Sequence, residues 1–333
     1  MLQTLESTES VRTTDAHHSA ARRTVGSIET TLTRTVPREF VHRAAVAEVF
    51  LTGIRQLSDE QFTVTAQWPR GHSFYGSVHG RYDPLLIAET IRQVGALLSH
   101  TVFDVALTHK FLLWDLNYTA LPEGLVMDSA PADLELSVTC TEIRRRGNRL
   151  AGLRYEATIR HAERIIATGG ASFTTTSPEA YRRLRAARLE SSTGPVLPGA
   201  SELPQLVART SPFDVVLSPT EQTGRWQLRV NATHPVLFDH YVDHVPGMVL
   251  LEAARQAAHA IGSQDRPVLP VTLDSTFHRY AEFDTPCWVD AEIIDTDATS
   301  PDACTVRITG RQDGETVFTT TVGLTALNPT PMV

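Results

Sequence analysis

Cysteine is scarce: Cys140, Cys287 and Cys304 are the only three in 333 residues, and no two stand at CxxC spacing. An odd, scattered set excludes a disulfide framework and suits a reducing compartment. All three read as packing residues within strands. There is no HExxH motif and no paired Cys/His cluster, so neither a metal nor another cofactor is expected. Long apolar runs are missing as well. None approaches the roughly 18 residues of a membrane helix, and the N-terminus lacks the basic-then-apolar order of a secretory signal. The expected location is therefore the cytoplasm, away from the membrane. Positive charge is also in deficit. A formal net charge of −8 argues against a nucleic-acid binder, so any anionic substrate must be met by a local basic pocket.

What is present is ordinary globular composition, 41% hydrophobic and 20% charged, in a chain long enough for about two domains. Residues 1–35 are rich in Ser, Thr and Arg without sustained periodicity and read as a mobile arm. From 178 to 208 an Arg-rich helical stretch gives way to Ser-Ser-Thr-Gly-Pro and Leu-Pro-Gly, the composition of a linker. That leaves two units, 36–177 and 209–333.

The two units share a motif. Asp83-Pro84-Leu85-Leu86-Ile87-Ala88-Glu89-Thr90-Ile91-Arg92-Gln93 is matched by Pro246-Gly247-Met248-Val249-Leu250-Leu251-Glu252-Ala253-Ala254-Arg255-Gln256, and 163 residues separate Glu89 from Glu252. Such a long-period repeat fixes the architecture before any local detail does. Each copy reads as a mostly buried helix. Asp83 is a plausible N-cap with Pro84 in the first turn, and Val249, Ala253, Ala257 and Ala260 form a face of small side chains. Alternating β-branched segments follow both helices, at 136–141, 153–160 and 165–173 and again at 288–294, 304–310 and 316–324, with Asp313-Gly314 as a hairpin turn. A lone apolar helix hides its surface only if a curved antiparallel sheet wraps it. The expected class is α+β, a double hot-dog whose halves pair edge to edge as a pseudo-dimer, either monomeric or further assembled as a homodimer.

Glu and Arg at i and i+3 share a helical face. On a surface such a pair contributes little. Inside the apolar runs around Glu89–Arg92 and Glu252–Arg255, charge is expensive unless it is paired or used. Ahead of the second helix stands Asp239-His240-Tyr241-Val242-Asp243-His244-Val245-Pro246-Gly247. A helix start offers free N–H groups to a thioester carbonyl or oxyanion, and a histidine beside it is a candidate general base. Gly247 would admit the carbonyl. The first unit has Ser77-Val78-His79-Gly80-Arg81-Tyr82 in the same place, with His72 upstream, so the second unit reads as the main active half. Lys110, His278 and Arg279 follow the helices and are candidates for holding a phosphate. The run Arg144-Arg145-Arg146-Gly147-Asn148-Arg149 reads as a basic hairpin tip, either a solubilising turn or a dock for an acidic carrier protein.

Together the two motifs, Gly80-Arg81-Tyr82-Asp83-Pro84 running into Glu89 to Gln93 and Asp243-His244-Val245-Pro246-Gly247-Met248 running into Glu252 to Gln256, resemble the A-factor biosynthesis (AfsA-type) family over roughly residues 38–326. The resemblance implies transfer of a β-ketoacyl group from acyl carrier protein to the hydroxyl of dihydroxyacetone phosphate. The ester formed then closes to a butenolide phosphate on the way to γ-butyrolactone-type signals. On that basis Glu252, Arg255, His244 and Glu89 are expected to be catalytic: Glu252 with His244 removes the hydroxyl proton, and Arg255 holds phosphate or orients the carboxylate. Gly247, His240, Arg92, Lys110 and Arg279 are expected to bind substrate. A hot-dog thioesterase or dehydratase, or a non-catalytic acyl-binding module, is the alternative.

Overall fold

The structure is a computed structural model, described for residues 32–192, 194–263, 266–295 and 303–327. Most of the arm expected at 1–35 lies outside these residues. In chain order, the first repeat comprises β1 (Leu51–Gln56), β2 (Gln61–Trp68), α1 (Leu85–Thr101), β3 (Lys110–Ala120), β4 (Ala132–Arg146), β5 (Arg149–His161) and β6 (Arg164–Thr176). A connecting helix, α2 (Pro178–Ser191), follows. The second repeat comprises β7 (Leu217–Pro219), β8 (Arg225–Leu228), α3 (Gly247–Gly262), β9 (Val268–Phe277), β10 (Trp288–Asp295), β11 (Ala303–Gln312) and β12 (Glu315–Ala326).

All twelve strands join one antiparallel sheet in the order β1-β2-β4-β5-β6-β3-β9-β12-β11-β10-β8-β7. The order reads the same from either end once repeat equivalents are exchanged, so a pseudo-twofold runs between β3 and β9. There Asp115 faces Thr276, and the pairing continues to Thr119 opposite Thr272. Each half-sheet therefore covers its exposed edge with the other half, which is the edge-to-edge pairing expected from the sequence.

Alternation makes the strands one-sided. In β4, Ala132, Leu134, Leu136, Val138 and Cys140 are buried while the residues between them are exposed, the two-residue period of a pleated strand with one face on a core. Cys140 and Cys287 lie in that packing, and burial pushes both thiols up to about 12, far from nucleophilic character at neutral pH. The hairpins expected at Gly147 and at Asp313-Gly314 both form, with positive φ at Gly147, Asp313 and Gly314. The sequence reading did not anticipate β1 and β2, or β7 and β8, which precede each helix, nor β3 and β9, which follow the helices and form the seam between the halves.

The helices are buried on nearly all sides. From Leu85 to His100 every residue of α1 except Arg92 is buried, and each fully buried Leu or Ile contributes roughly 1.5–3 kcal/mol relative to exposure. Close approach is set by Gly95, where a Cβ would lie 2.7 Å from the Tyr155 hydroxyl oxygen and 2.8 Å from Phe173. Tyr155 uses that proximity to donate to the Ile91 carbonyl at 2.6 Å. Asp83 accepts the Leu85 N–H at 2.9 Å, the capping interaction expected of it.

The stretch 178–208 is anchored more firmly than a tether. Ser177 accepts from the Ala180 N–H to start α2, and Tyr181 and Arg185 are buried against the second repeat. A short 3-10 turn at Pro204–Val207 repeats the one at Arg38–Val41, so equivalent elements begin ahead of residue 209. No helix among the described residues is long and apolar enough to cross a membrane.

Candidate active site

Each repeat builds one charge network around its glutamate. Glu89 is fully buried and meets two arginines: Arg43 from the loop after the 3-10 turn at 2.7 Å, and Arg92 at 2.8 Å. Gln93 donates to the same carboxylate at 2.6 Å and to the Glu48 carbonyl at 2.7 Å, while its own oxygen accepts the Phe50 N–H. The second repeat does the same. Glu252 meets Arg209 at 2.7 Å and Arg255 at 2.8 Å, and Gln256 bridges Glu252, the Asp214 carbonyl and the Val216 N–H.

Burial alone would push both carboxyls up. The guanidiniums outweigh it, Arg43 and Arg92 holding Glu89 down to about 2, and Arg209 and Arg255 holding Glu252 down to about 2. A carboxylate this stabilised and enclosed is a weak proton acceptor. Its geometry suits fixing arginines and locking each helix to the loop before it.

Arg43 and Arg209 were not singled out from the sequence. The signal was there: Val41-His42-Arg43 and Val207-Ala208-Arg209 stand at matching places in the repeats. Both arginines also cross the pseudo-twofold. Arg43 donates to the Val236 carbonyl at 3.2 Å, and Arg209 donates to the Phe74 carbonyl at 2.8 Å and to Asp83 at 3.2 Å. The receiving loops are pinned alike. His72 Nδ1 accepts the Phe74 and Tyr75 N–H groups and its Nε2 faces Glu48, while His234 Nδ1 accepts the Val236 and Leu237 N–H groups and its Nε2 faces Asp214.

This crossing redistributes the expected site residues. Asp239 accepts the Ala44 and Ala45 N–H groups of the first repeat at 2.5 and 2.9 Å. His240, adjacent to it, lies close enough to Arg92 and Arg43 to feel their charge; burial and those two cations lower its pKa against the opposing pull of Asp239. Val236, Asp239 and His240 of the stretch before α3 thus lie with the Glu89 network, and Phe74 and Asp83 of the stretch before α1 lie with the Glu252 network. Each network is therefore composite, with the Glu–Arg pair from one repeat and further contacts from the loop ahead of the other repeat's helix.

The composite sites differ in access and equipment. The Arg92 side chain is 21% exposed and that of Arg255 only 3%. Around Arg92 gather residues with no counterpart in the second network. His100 holds the Val105 carbonyl at 2.7 Å through Nδ1 and meets His42 Nε2 at 2.7 Å through Nε2. If Nδ1 of His100 donates, its Nε2 accepts from His42, and His42 is left with an unprotonated Nδ1. Burial, then Arg92, His100, His240 and Lys110, hold the His42 pKa down to about 3. Lys110 lies exposed on the rim with its Nζ 6.0 Å from the Tyr181 ring centroid.

Beyond Lys110 stands an acid–histidine pair. Asp243 meets His244 Nδ1 at 2.7 Å and accepts from the Tyr181 hydroxyl at 2.6 Å, and Arg185 donates to the Asp243 backbone carbonyl at 3.1 Å. Burial would raise the Asp243 pKa, but the hydrogen bonds from His244 and Tyr181 drive it well below the usual carboxylate range. An ionised Asp243 fixes His244 with Nδ1–H toward the acid and Nε2 free as a base. Tyr280 packs edge-on against the imidazole at 4.6 Å. Gly247 opens α3 just beyond, where a Cβ would have Leu113 of β3 as its nearest neighbour at 3.5 Å. Arg279 and Glu315 form an exposed ion pair at 2.8 Å on the surface, and His278 meets Thr319 nearby. Among the described residues no group of three or more His, Cys, Asp or Glu is placed to hold a metal ion.

Two helices, each wrapped by half of one antiparallel sheet and sharing sites across a pseudo-twofold, define a tandem hot-dog protein. The sequence profile of the A-factor biosynthesis hotdog domain (AfsA) matches residues 27–177 and again 201–328. The chain therefore belongs to the A-factor biosynthesis hotdog family. It is 56% identical over 297 residues to a 2-oxo-3-(phosphooxy)propyl 3-oxoalkanoate synthase of Streptomyces virginiae, covering 88% of this chain and 98% of that one. Proteins with the same name from Streptomyces coelicolor and Streptomyces griseus are 42% and 40% identical, covering 86% and 85% of this chain and 90% and 93% of theirs.

Proposed function

We propose that this chain is itself a 2-oxo-3-(phosphooxy)propyl 3-oxoalkanoate synthase, a cytoplasmic acyltransferase that esterifies dihydroxyacetone phosphate with a β-ketoacyl group delivered by acyl carrier protein. One observation carries the reading beyond kinship. Of the two Glu–Arg networks, only that of Glu89 keeps its second arginine partly exposed, within reach of the charges of His42 and His240, and Lys110, which also acts on His42, stands beside Tyr181, the partner of the Asp243–His244 pair.

The division of labour follows from chemistry. Arg92, Lys110 and His240 supply donors for the phosphate, with Glu89 and Arg43 keeping Arg92 in place. His244 Nε2 takes the proton from the substrate hydroxyl, whose oxygen attacks the thioester carbonyl carbon. The first N–H groups of α3, at Gly247, face the developing oxyanion. The tetrahedral intermediate collapses with loss of the C–S bond, and the leaving thiolate takes the proton back from His244. The ester then closes to the butenolide phosphate by intramolecular aldol condensation, the activated methylene of the β-ketoacyl group adding to the ketone carbon and the carbonyl oxygen leaving as water. Glu252 and Arg255 act from the opposite site as structural partners that seat α3.

The test is mass spectrometry of the purified protein with β-ketoacyl carrier protein and dihydroxyacetone phosphate. The expected product is a phosphate-containing acyl ester, lost in His244→Ala. An Asp–His pair can equally activate water, so free β-keto acid formed at the same rate with or without dihydroxyacetone phosphate would move the protein to the thioesterases. Tight binding without turnover would make it an acyl-binding module.

A further inference from the structure

We infer that the mouth of the Arg92 site is rimmed by a docking surface for an acidic carrier protein, formed by the tip of the β4–β5 hairpin and the outer face of α2. The inference rests on the acyl-transfer reading above. Strand register puts these parts at one end of the sheet. The hairpin turns between Arg146 and Arg149, Gly152 of β5 pairs Thr174 of β6, and Thr176 of β6 pairs Lys110 of β3. α2 starts directly after Thr176, and its inner face carries Tyr181 to Asp243 and Arg185 to Glu282. The helix is therefore a roof beside the Asp243–His244 pair.

What the roof and the tip show to solvent is basic with apolar patches. Arg144, Arg145, Arg146 and Arg149 are all exposed at the tip. On α2, Arg182 and Arg183 are exposed and Leu184 is 58% exposed. Tyr241, on the loop between His240 and Asp243, is 91% exposed. On a chain of net charge −8, such a concentration of exposed arginines at one end of the sheet is a local inversion of sign. It steers and orients an acidic partner, whereas a free dihydroxyacetone phosphate molecule needs only the inner cations. The partner it fits is a small acidic protein bearing the acyl thioester on an arm long enough to reach the Asp243–His244 pair beside α2.

The experiment compares the full chain with two charge reversals, Arg146→Glu/Arg149→Glu and Arg182→Glu/Arg183→Glu, and a control, Arg307→Glu, on the far strands. Turnover is measured with β-ketoacyl carrier protein and with β-ketoacyl pantetheine thioester, and carrier affinity is measured separately by biolayer interferometry. Both rim variants should lose about tenfold or more in kcat/KM and affinity with the carrier while keeping pantetheine turnover, and the control should change nothing. Lys110 is the only lysine in the sequence, so a carbodiimide cross-link from a carrier carboxylate to a lysine has one destination, and it should vanish in the rim variants. Unchanged carrier affinity in both rim variants, or a wild-type chain that does not bind the carrier, overturns the surface. A chain that binds the carrier through the rim yet makes no ester keeps the surface and refutes the acyl-transfer reading instead.

Discussion

The two Glu–Arg networks are copies in almost every bond and opposites in use. Both bury a glutamate between two arginines and a glutamine, and both send one arginine across the pseudo-twofold. Yet the surroundings have drifted apart. Where the first repeat has His42 and His100, the second has Ala208 and Ser263; where the second repeat offers Asp243 and His244, the first has Gly80 and Arg81. Because each site draws on both repeats, these losses and gains add up on one side. One network keeps its arginine partly exposed beside His42 and His240, and the other buries its arginine beside His259.

The largest difference should come from the acid–histidine pair. His244→Ala is expected to lower kcat by about 10²–10⁴-fold, the usual contribution of a positioned base, with little change in melting temperature since the side chain is partly exposed. Arg81→Ala, the same position in the other repeat, should leave kcat untouched. Equal losses from the two would mean that both composite sites turn over substrate.

The next contrast concerns stability, where the networks should behave alike. Glu89→Ala and Glu252→Ala each leave two guanidiniums without their carboxylate, and breaking such a buried pair costs about 3–5 kcal/mol. Chemical denaturation should show similar losses for both. The arginines should then split: Arg255→Met lowers stability as the buried member, whereas Arg92→Met mainly raises KM for dihydroxyacetone phosphate. An Arg92→Met enzyme with unchanged KM would remove phosphate binding from this network.

Acidification separates the histidines from the carboxylates. His42, held to about 3 by burial and then by Arg92, and His259, held to about 4 by burial and then by Arg255, stay neutral in the fold and titrate near 6.5 when unfolded. Below pH 6.5 the unfolded chain binds more protons, so the stability these groups contribute above that pH is lost as the pH falls toward 4 and 3. Glu89 and Glu252, at about 2 against an ordinary 4.5, add a second loss between pH 4.5 and 2. In stability-versus-pH curves, His259→Asn should flatten the upper window alone and Glu→Gln variants the lower. A single loss confined below pH 4.5 would contradict the neutral buried histidines.

Much of this was legible in the sequence, and the limits have a physical reason. The helices were visible because Glu-x-x-Arg-Gln sits inside apolar runs, and the later strands because β-branched residues alternate. Asp313-Gly314 and Gly147 announced their hairpins. β7 and β8 are only three and four residues long and escaped notice, and β2, β3 and β9 were passed over although Phe62, Val64, Ala66 and Trp68 alternate plainly in β2. The grouping of site residues was harder. His244 and Glu252 stand eight residues apart, and at about 1.5 Å of rise per residue the helical part of that stretch alone spans several ångströms. A loop at a helix start and a carboxylate more than a turn along it face different neighbours, so His244 joins Asp243 and Tyr181 while Glu252 joins Arg209 and Arg255. No local spacing encodes that exchange. Arg43 and Arg209 were hidden for the same reason, since the hydrogen bonds to Glu89 and Glu252 span 46 and 43 residues.

The smallest and most discriminating contrast is His42 against Ala208. Both sit in the left-handed region, at φ 54° and 52°, as the caps of equivalent 3-10 turns. The strained backbone therefore belongs to the fold and says nothing about catalysis, but the side chain does. His42→Ala converts the first turn into the second with no new backbone demand, so stability should move by no more than about 1 kcal/mol. If the unprotonated Nδ1 of His42 helps to hold the acceptor beside Arg92, the substitution should lower kcat/KM for dihydroxyacetone phosphate by roughly three- to tenfold, the worth of one hydrogen bond. It should leave the KM for the acyl donor unchanged. The converse variant, Ala208→His, should do nothing, because the arginine of the second network, Arg255, is only 3% exposed and would hold no phosphate for the ring to meet. A loss of stability in His42→Ala without any kinetic change would reassign the His42–His100 pair to packing and leave Arg92, His240 and Lys110 as the only asymmetry facing the phosphate.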